Sequence, residues 1–237
     1  MTASSQSEPH PLTGQPVGEP VDGPPVRRPG AVTLSGRYGR VEKLAPAHAE
    51  ALWQEVRGHD RIWTYSPSSG PFADAAAFTA LIAMRVQQND PYFYAIVDTA
   101  GRALGMMSLL NIHPEHRVIE VGHVVYSPAL QRTPLATEAQ YLLACHVFET
   151  LDYRRYEWKC DALNAPSRRA ALRLGFSFEG ILRRHMIAKG RNRDTAYFSM
   201  LDGEWPARKV AFERWLAPDN FDAAGRQKMR LEQCISS

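Results

Sequence analysis

No stretch of this 237-residue chain is long and apolar enough to span a bilayer. The N-terminus lacks the basic-then-apolar order of a secretory leader, so a cytoplasmic location follows by default. Cysteine is scarce: Cys145, Cys160 and Cys234 show neither metal-binding nor redox spacing. Cys145 falls in a helical pattern and Cys160 alternates with Tyr156 and Trp158, so both read as small buried hydrophobes. An excess of one charge is missing too. The 28 basic and 25 acidic residues leave a net charge of +3 without long like-charged runs, too mild a balance to argue for nucleic acid. Before Gly30 large apolar residues are nearly absent, and Pro, Gly, Ser and Glu dominate. Such a segment cannot bury enough surface to offset its ordering entropy. Residues 1–30 are therefore expected to form a disordered tail, with a partner-binding arm as the sharper alternative.

The remainder has the composition of a globular chain, 44% hydrophobic overall. Arg40 to Leu44 reads as a short strand. Pro46 opens a helix to about Val56, and Asp74 caps a second to about Gln87 that carries Ala77, Phe78, Leu81, Ile82 and Arg85. Between them lies the aromatic loop IWTYSPSSGPF. YFYAIVD and ALGMMSLLNI flank a Gly-containing turn as a hairpin, and VIEVGHVVY adds a third antiparallel strand. Thr133 as cap and Pro134 as first helical residue then start a helix with an apolar stripe from Leu135 to Phe148. A strand over Arg155 to Cys160, a helix over Pro166 to Leu174 stopped by Gly175, and a hairpin turning at Lys189 to Asn192 follow. A short helix, Val210 to Trp215, precedes a polar tail over residues 217–237.

Two loop-to-helix junctions carry the chemical interest. At Gln131 to Thr137, QRTPLAT, a helix start directs backbone N–H groups and a positive dipole end outward, which suits a pyrophosphate. An ordinary capped helix has the same residues. At Asn164-Ala-Pro-Ser167 a hydroxyl follows a cap residue, and Asn and Ser are also common helix-start residues.

These segments, IEVGHVVYSPALQRTPLATEA and NAPSRRAALRLGFSFEG, set in a strand, loop-helix, strand, loop-helix, strand succession, resemble the acyl-CoA-dependent N-acyltransferases of the GNAT superfamily, most closely its RimJ/RimL-like branch. The resemblance covers roughly Gly36 to Pro206. It implies an α/β fold with a mixed, mostly antiparallel sheet of six or seven strands and helices on both faces. A splayed parallel strand pair then forms the acyl-CoA cleft, within a domain over residues 31–216. It implies that Gln131, Arg132, Thr133, Leu135, Ala136 and Thr137 cradle the CoA pyrophosphate, although Pro134 stands where the family usually has Gly and so lacks one amide donor. Val124 and Val125 on the splayed strand and Asn164 would meet the pantetheine arm, with an amide near Val124 facing the thioester carbonyl.

Many members protonate the departing thiolate with a Tyr seven residues after the Asn. That position is Ala171 here, and Ser167 matches the RimJ/RimL alternative. Glu120 is a candidate base; an outward-facing strand Glu is the plain alternative. His185 is a second candidate base on the strand that follows Glu179-Gly180. Trp63, Tyr65 and Phe72 would shape the amine pocket or simply pack helices on the sheet. His113, His116 and His123 straddle a turn and a strand without supporting carboxylates, and no metal is expected. The implied reaction is direct transfer of acetyl from acetyl-CoA, as co-substrate, to a primary amine on a small molecule or a peptide N-terminus. A CoA-binding module with little turnover, or use of another acyl group such as succinyl, is the alternative. No nucleic-acid or membrane partner is expected, and a homodimer stays open.

Overall fold

The computed structural model describes residues 7–236; the first six residues of the expected tail lie outside the described residues. A small exposed hairpin, β1 (Ser7–Pro9) and β2 (Pro16–Gly18), comes first. Residues 22–28 then lie along the main body. The Arg117 guanidinium donates to the carbonyls of Asp22 and Pro24 at 2.9 and 3.1 Å, and Arg28 donates to the Ile112 carbonyl at 3.2 Å.

The body is one eight-stranded sheet with helices on both faces. Its elements in chain order are β3 (Thr33–Ser35), β4 (Gly39–Lys43), α1 (Ala49–Val56), α2 (Ala75–Val86), β5 (Tyr92–Asp98), β6 (Ala103–His113), β7 (Val118–Tyr126), α3 (Pro134–Cys145), β8 (Arg155–Asp161), α4 (Ala165–Arg173), β9 (Ser177–Ala188), β10 (Arg191–Leu201), α5 (Trp205–Leu216) and α6 (Leu231–Ser236). The strand order is β3-β4-β5-β6-β7-β8-β10-β9, antiparallel except for β7 and β8. That pair is joined through α3, the helical crossover a parallel connection requires. The sheet has one or two strands more than expected; β3, paired with β4 at one edge, is the strand the sequence did not announce.

β5 shows why the sheet sits where it does. Its run YFYAIVD is buried almost throughout, as a strand covered on both faces must be. Tyr94 and Ile96 face a core built with α3 and α5, whereas Phe93, Ala95 and Val97 face a second core under α1 and α2. Helix starts follow their caps: Asp74 Oδ1 accepts the Ala77 amide at 2.8 Å, and Thr133 Oγ1 accepts that of Ala136 at 3.2 Å. The helix expected from Pro46 begins as one 3₁₀ turn, Pro46–His48, before α1. The short C-terminal helix expected over Val210 to Trp215 extends back to Trp205.

The polar stretch beyond α5 folds back onto the domain. Leu231 and Cys234 are buried, and Asn220 holds the turn by donating to the Trp215 carbonyl at 2.9 Å and accepting the Met229 amide at 2.9 Å. Cys145 and Cys160 are thiols, the first half-buried and the second buried. Among the described residues no helix is long and apolar enough to cross a membrane.

Candidate active site

β7 sits beside β8 for only four residues, Val118–Val121 against Arg155–Trp158. Beyond Val121 the two strands part. On its other edge β7 stays with β6, but Gly122 and Val125 face Ser108 and Met106, so one extra residue is accommodated there. This bulge carries His123 at φ 48°, a left-handed backbone that a β7 residue adopts only where the fold enforces it. His123 and Val124 thus fall outside the pairing register of both neighbouring strands. The parting of the strands opens a cleft of about 830 Å³. Of the residues expected at the site, Glu120, Val124, Val125, Asn164, Ser167, His185, Trp63 and Tyr65 line it, gathered from four separate segments of the chain.

Ser167 sits in the first turn of α4. Asn164 Oδ1 accepts the Ser167 amide at 3.1 Å, which commits the Asn164 carbonyl to the cap and leaves its NH₂ group. The Trp158 indole N–H donates to Ser167 Oγ at 3.0 Å. Indole nitrogen only donates, so the serine proton is not spent on Trp158 and points elsewhere. Capping and hydroxyl placement are therefore one device.

Glu120 is 5% exposed, not an outward-facing strand residue. Asn111 Nδ2 and the Lys159 ammonium both reach its Oε2, at 2.6 and 3.0 Å. Lys159 also holds Glu157 at 2.8 Å, and Arg155 holds Glu157 at 2.7 Å. Burial raises the Glu120 carboxyl above the ordinary range, and Lys159 and Asn111 only partly counter it. Burial also opposes the Lys159 charge, but Glu120 and Glu157 together lift its pKa above the usual value. The two directions are compatible: one ammonium serves two carboxylates, and Glu120 is the more deeply buried of them. A buried carboxylate with a raised pKa is suited to accept a proton. His185 Nδ1 lies 3.0 Å from Thr195 Oγ1 on the exposed β9 side of the cleft.

The aromatic loop forms the roof. Trp63 and Tyr65 line the cleft; Phe72 does not, and instead stacks edge-on against Trp63 and Phe78 at 5.1 and 5.4 Å. The expectation of Phe72 as a pocket wall is corrected on that geometry: it braces the wall from behind. Gly70 allows this fold, since it sits at φ 55° and a Cβ there would run into the Trp63 ring. The loop is tied to the far side of the cleft by Lys189, at the β9–β10 turn. Its ammonium donates to the carbonyls of Trp63, Ser69 and Gly70 at 3.0, 3.0 and 2.6 Å.

Several lining residues were given no part in the transfer by the sequence. Arg85, on α2, is 3% exposed. Arg193, on β10, is 8% exposed, and its Nε has no hydrogen-bond partner among the described residues. His123 is held neutral, its pKa pushed down to about 4 by burial and then by Arg85. Ser108 Oγ donates its proton to the Gly122 carbonyl at 3.2 Å, so His123 Nδ1 must donate to Ser108 Oγ at 3.0 Å. His123 Nε2 then carries the lone pair. For Arg85 a signal existed: it lies three residues after Ile82 and seven after Phe78, on the buried face of α2.

A family model described as an acetyltransferase (GNAT) domain matches residues 40–177 of this chain. The chain belongs to the GNAT family. It is similar to the Bacillus subtilis (strain 168) protein named "Putative ribosomal N-acetyltransferase YdaF", 30% identical over 71% of this chain and 94% of that one. Among solved structures it resembles a GCN5-related N-acetyltransferase from Brucella melitensis, with 45% identity, a TM-score of 0.87 and coverage of 90% of this chain and 98% of that one. A RimL ribosomal L7/L12 alpha-N-protein acetyltransferase shares the fold, with a TM-score of 0.63, 19% identity and coverage of 72% and 94%. The expected GNAT N-acetyltransferase, with its mixed sheet and parallel strand pair, is thus what the chain is.

GNAT membership implies acetyl-CoA as the co-substrate, and the start of α3 fits its phosphates in a reduced form. Pro134 offers no amide, the Ala136 amide goes to Thr133, and those of Gln131 and Thr133 go to the carbonyls of Ser127 and Leu130. The Gln131 side chain donates to the Tyr126 carbonyl at 2.9 Å. Leu135 and Thr137 are buried, the Thr137 hydroxyl accepting from Arg173 at 3.1 Å, so only their backbone remains for a ligand. What this GNAT loop keeps for an anion is the Arg132 and Leu135 amides, the dipole of a 12-residue helix, and the exposed Arg132 side chain at φ 62°.

Proposed function

We propose that this GNAT acetyltransferase moves acetyl from acetyl-CoA directly to a primary amine, on a peptide N-terminus or a small molecule, with no covalent enzyme intermediate. The observation that carries the reading is the parting of β7 from β8 at the His123 bulge, with the Ser167 hydroxyl and the Glu120 carboxylate on the same cleft. Val124, outside both ladders, supplies the amide that stabilises the negative oxygen as the amine adds to the thioester carbonyl. Glu120, through a water, takes the proton that the attacking ammonium must lose. Ser167, whose hydroxyl also reaches the Cys160 thiol, gives its proton to the departing CoA sulfur as the adduct collapses. The Asn164 NH₂ group and the start of α3 hold the CoA chain. Trp63 and Tyr65 exclude water above the amine, with His185 at the exposed entrance.

Supporting the peptide N-terminus as acceptor is the ribosomal N-acetyltransferase name of the Bacillus relative. The test is calorimetry with acetyl-CoA, followed by turnover on amine and peptide panels. Binding with release of free CoA on an amine supports the reading. No binding at millimolar acetyl-CoA overturns it, and binding without turnover of any amine favours a CoA-binding module instead.

A further inference from the structure

The deepest cation of the cleft is Arg85, and nothing in the transfer chemistry above uses it. It projects from the buried face of α2 and lines the cleft beside the roof loop. Nη2 donates to Ser69 Oγ at 3.0 Å, Nη1 reaches Met106 Sδ at 3.2 Å, and the guanidinium lies 4.7 Å above the Phe93 ring. Those contacts fix its orientation but leave most of its five N–H donors without an oxygen acceptor. Among the described residues no carboxylate forms an ion pair with it, and burial alone drags its pKa down to about 10. A buried cation without an anion is costly, and a fold keeps one where a ligand completes it.

The neighbouring groups point the same way. His123 adds a neutral ring with an unprotonated Nε2, and the roof loop adds the Ser66 hydroxyl to the cleft lining. Of the carboxylates lining the cleft, Glu120 and Glu157 are matched by Lys159, and Asp161 accepts the Leu163 amide at 2.9 Å. The cleft therefore holds carboxylates that are already matched and, on α2, a guanidinium with no anionic partner among the described residues.

We infer that the acceptor is an amino carboxylate, with its amine toward Glu120 and its carboxylate received by Arg85 beneath the roof loop. The inference rests on the acetyl-transfer reading and narrows its substrate class: it disfavours polyamines and amino sugars. It favours amines with a nearby carboxylate, whether a free amino acid or a peptide with an acidic first residue. A planar guanidinium holds a carboxylate by charge-assisted, paired hydrogen bonds. The bound carboxylate also cancels part of the field that keeps His123 neutral.

The experiment uses the full chain with matched pairs. L-serine against ethanolamine tests free amino acids, and Asp-Ala-Ala-amide against Asn-Ala-Ala-amide tests peptides. For at least one pair the carboxylate member is expected to have a kcat/KM at least about tenfold higher, the scale of a charge-assisted hydrogen bond. The pair that responds identifies the source. Arg85→Met should bring that ratio close to one with little change in acetyl-CoA affinity, and Arg85→Lys should keep part of it. Read by melting without acetyl-CoA, the favoured amino carboxylate should raise the Tm of the wild type and not of Arg85→Met. Arg85→Met itself should melt no lower than the wild type, because it removes an unmatched buried charge. Equal turnover within both pairs, a ratio that survives in Arg85→Met, or a Tm lowered by many degrees in that variant would overturn the inference. Arg85-dependent protection with no turnover of any amine would sustain the carboxylate site and sink the transferase reading alone.

Discussion

Lys159 and Arg85 are both buried cations on one cleft, and their circumstances are opposite. Lys159 holds two carboxylates within 3.0 Å, and its pKa rises despite burial. Arg85 holds a hydroxyl, a thioether and an aromatic face, and its pKa falls. The first is an internally balanced cluster, in which one ammonium offsets two carboxylates. The second is a vacancy in charge, tolerated because the surrounding scaffold fixes the guanidinium. The difference separates structural electrostatics from recognition more cleanly than burial does, since both residues are buried.

The comparison breaks most visibly at Lys159→Met. Removing the ammonium leaves Glu120 with only Asn111 at full burial, and a cost of about 3–5 kcal/mol in unfolding free energy is expected at neutral pH. The sign of its pH dependence follows from the raised Glu120 pKa. A group with a raised folded pKa favours the folded state below its unfolded value and loses that contribution as pH rises through the folded value. The Lys159→Met defect should therefore shrink as pH falls and Glu120 protonates. Denaturant titrations at several pH values measure this, and a pH-independent defect would show that the loss is one of packing on Tyr197, 4.7 Å from the ammonium.

Glu120→Gln sharpens the comparison from the acidic side. It removes a destabilised carboxylate yet keeps the Asn111 contact, so stability at neutral pH should hold or rise. Turnover should fall by about 10²-fold with loss of the rising limb of the pH–rate profile. Retained turnover with an unchanged limb would pass the base role to His185 or His123. Ser167→Ala tests a cleft group that carries no charge. The hydroxyl matters when sulfur gathers charge, so turnover should drop at least about tenfold while acetyl-CoA affinity measured by calorimetry stays near wild type. Unchanged turnover would leave Ser167 as a helix-start residue bonded to Trp158. The smallest effect is expected at Pro134→Gly, remote from both cations. A restored amide at the α3 start should hold or tighten acetyl-CoA binding by no more than a few fold, about 1 kcal/mol. A large loss of affinity would mean that the rigid turn itself shapes the phosphate site.

Much of this was legible in the chain because the signals were local. Thr133-Pro134 and Asn164-Ala-Pro fix two helix starts by capping chemistry, and both helices begin where those residues set them. The β5 and β6 runs announce strands covered on both faces. Other features had no local signature. β9 is exposed along nearly its whole length, with Ile187 at 83%, so burial imposed no alternation from which to read its extent. α6 spans six residues with two buried side chains, too few for a helical period. Phe72 could not be ranked against Trp63, because which aromatic faces the cleft is decided by the turn at Gly70. Arg85 fell on the apolar face of α2 by spacing, but a lone cation near a helix end also reads as a favourable partner for the helix dipole. Only the cleft around it separates the two meanings.

An enzyme that acylates amines must keep its own amines from intercepting the acyl group. The Lys189 clamp answers that problem at the roof. An ammonium whose three protons are each held by a carbonyl has no lone pair to attack a thioester. Lys159, committed to two carboxylates, is silenced by the same logic in the cleft wall. The contacts that hold the roof shut thereby reserve the acetyl group for the amine that arrives as substrate.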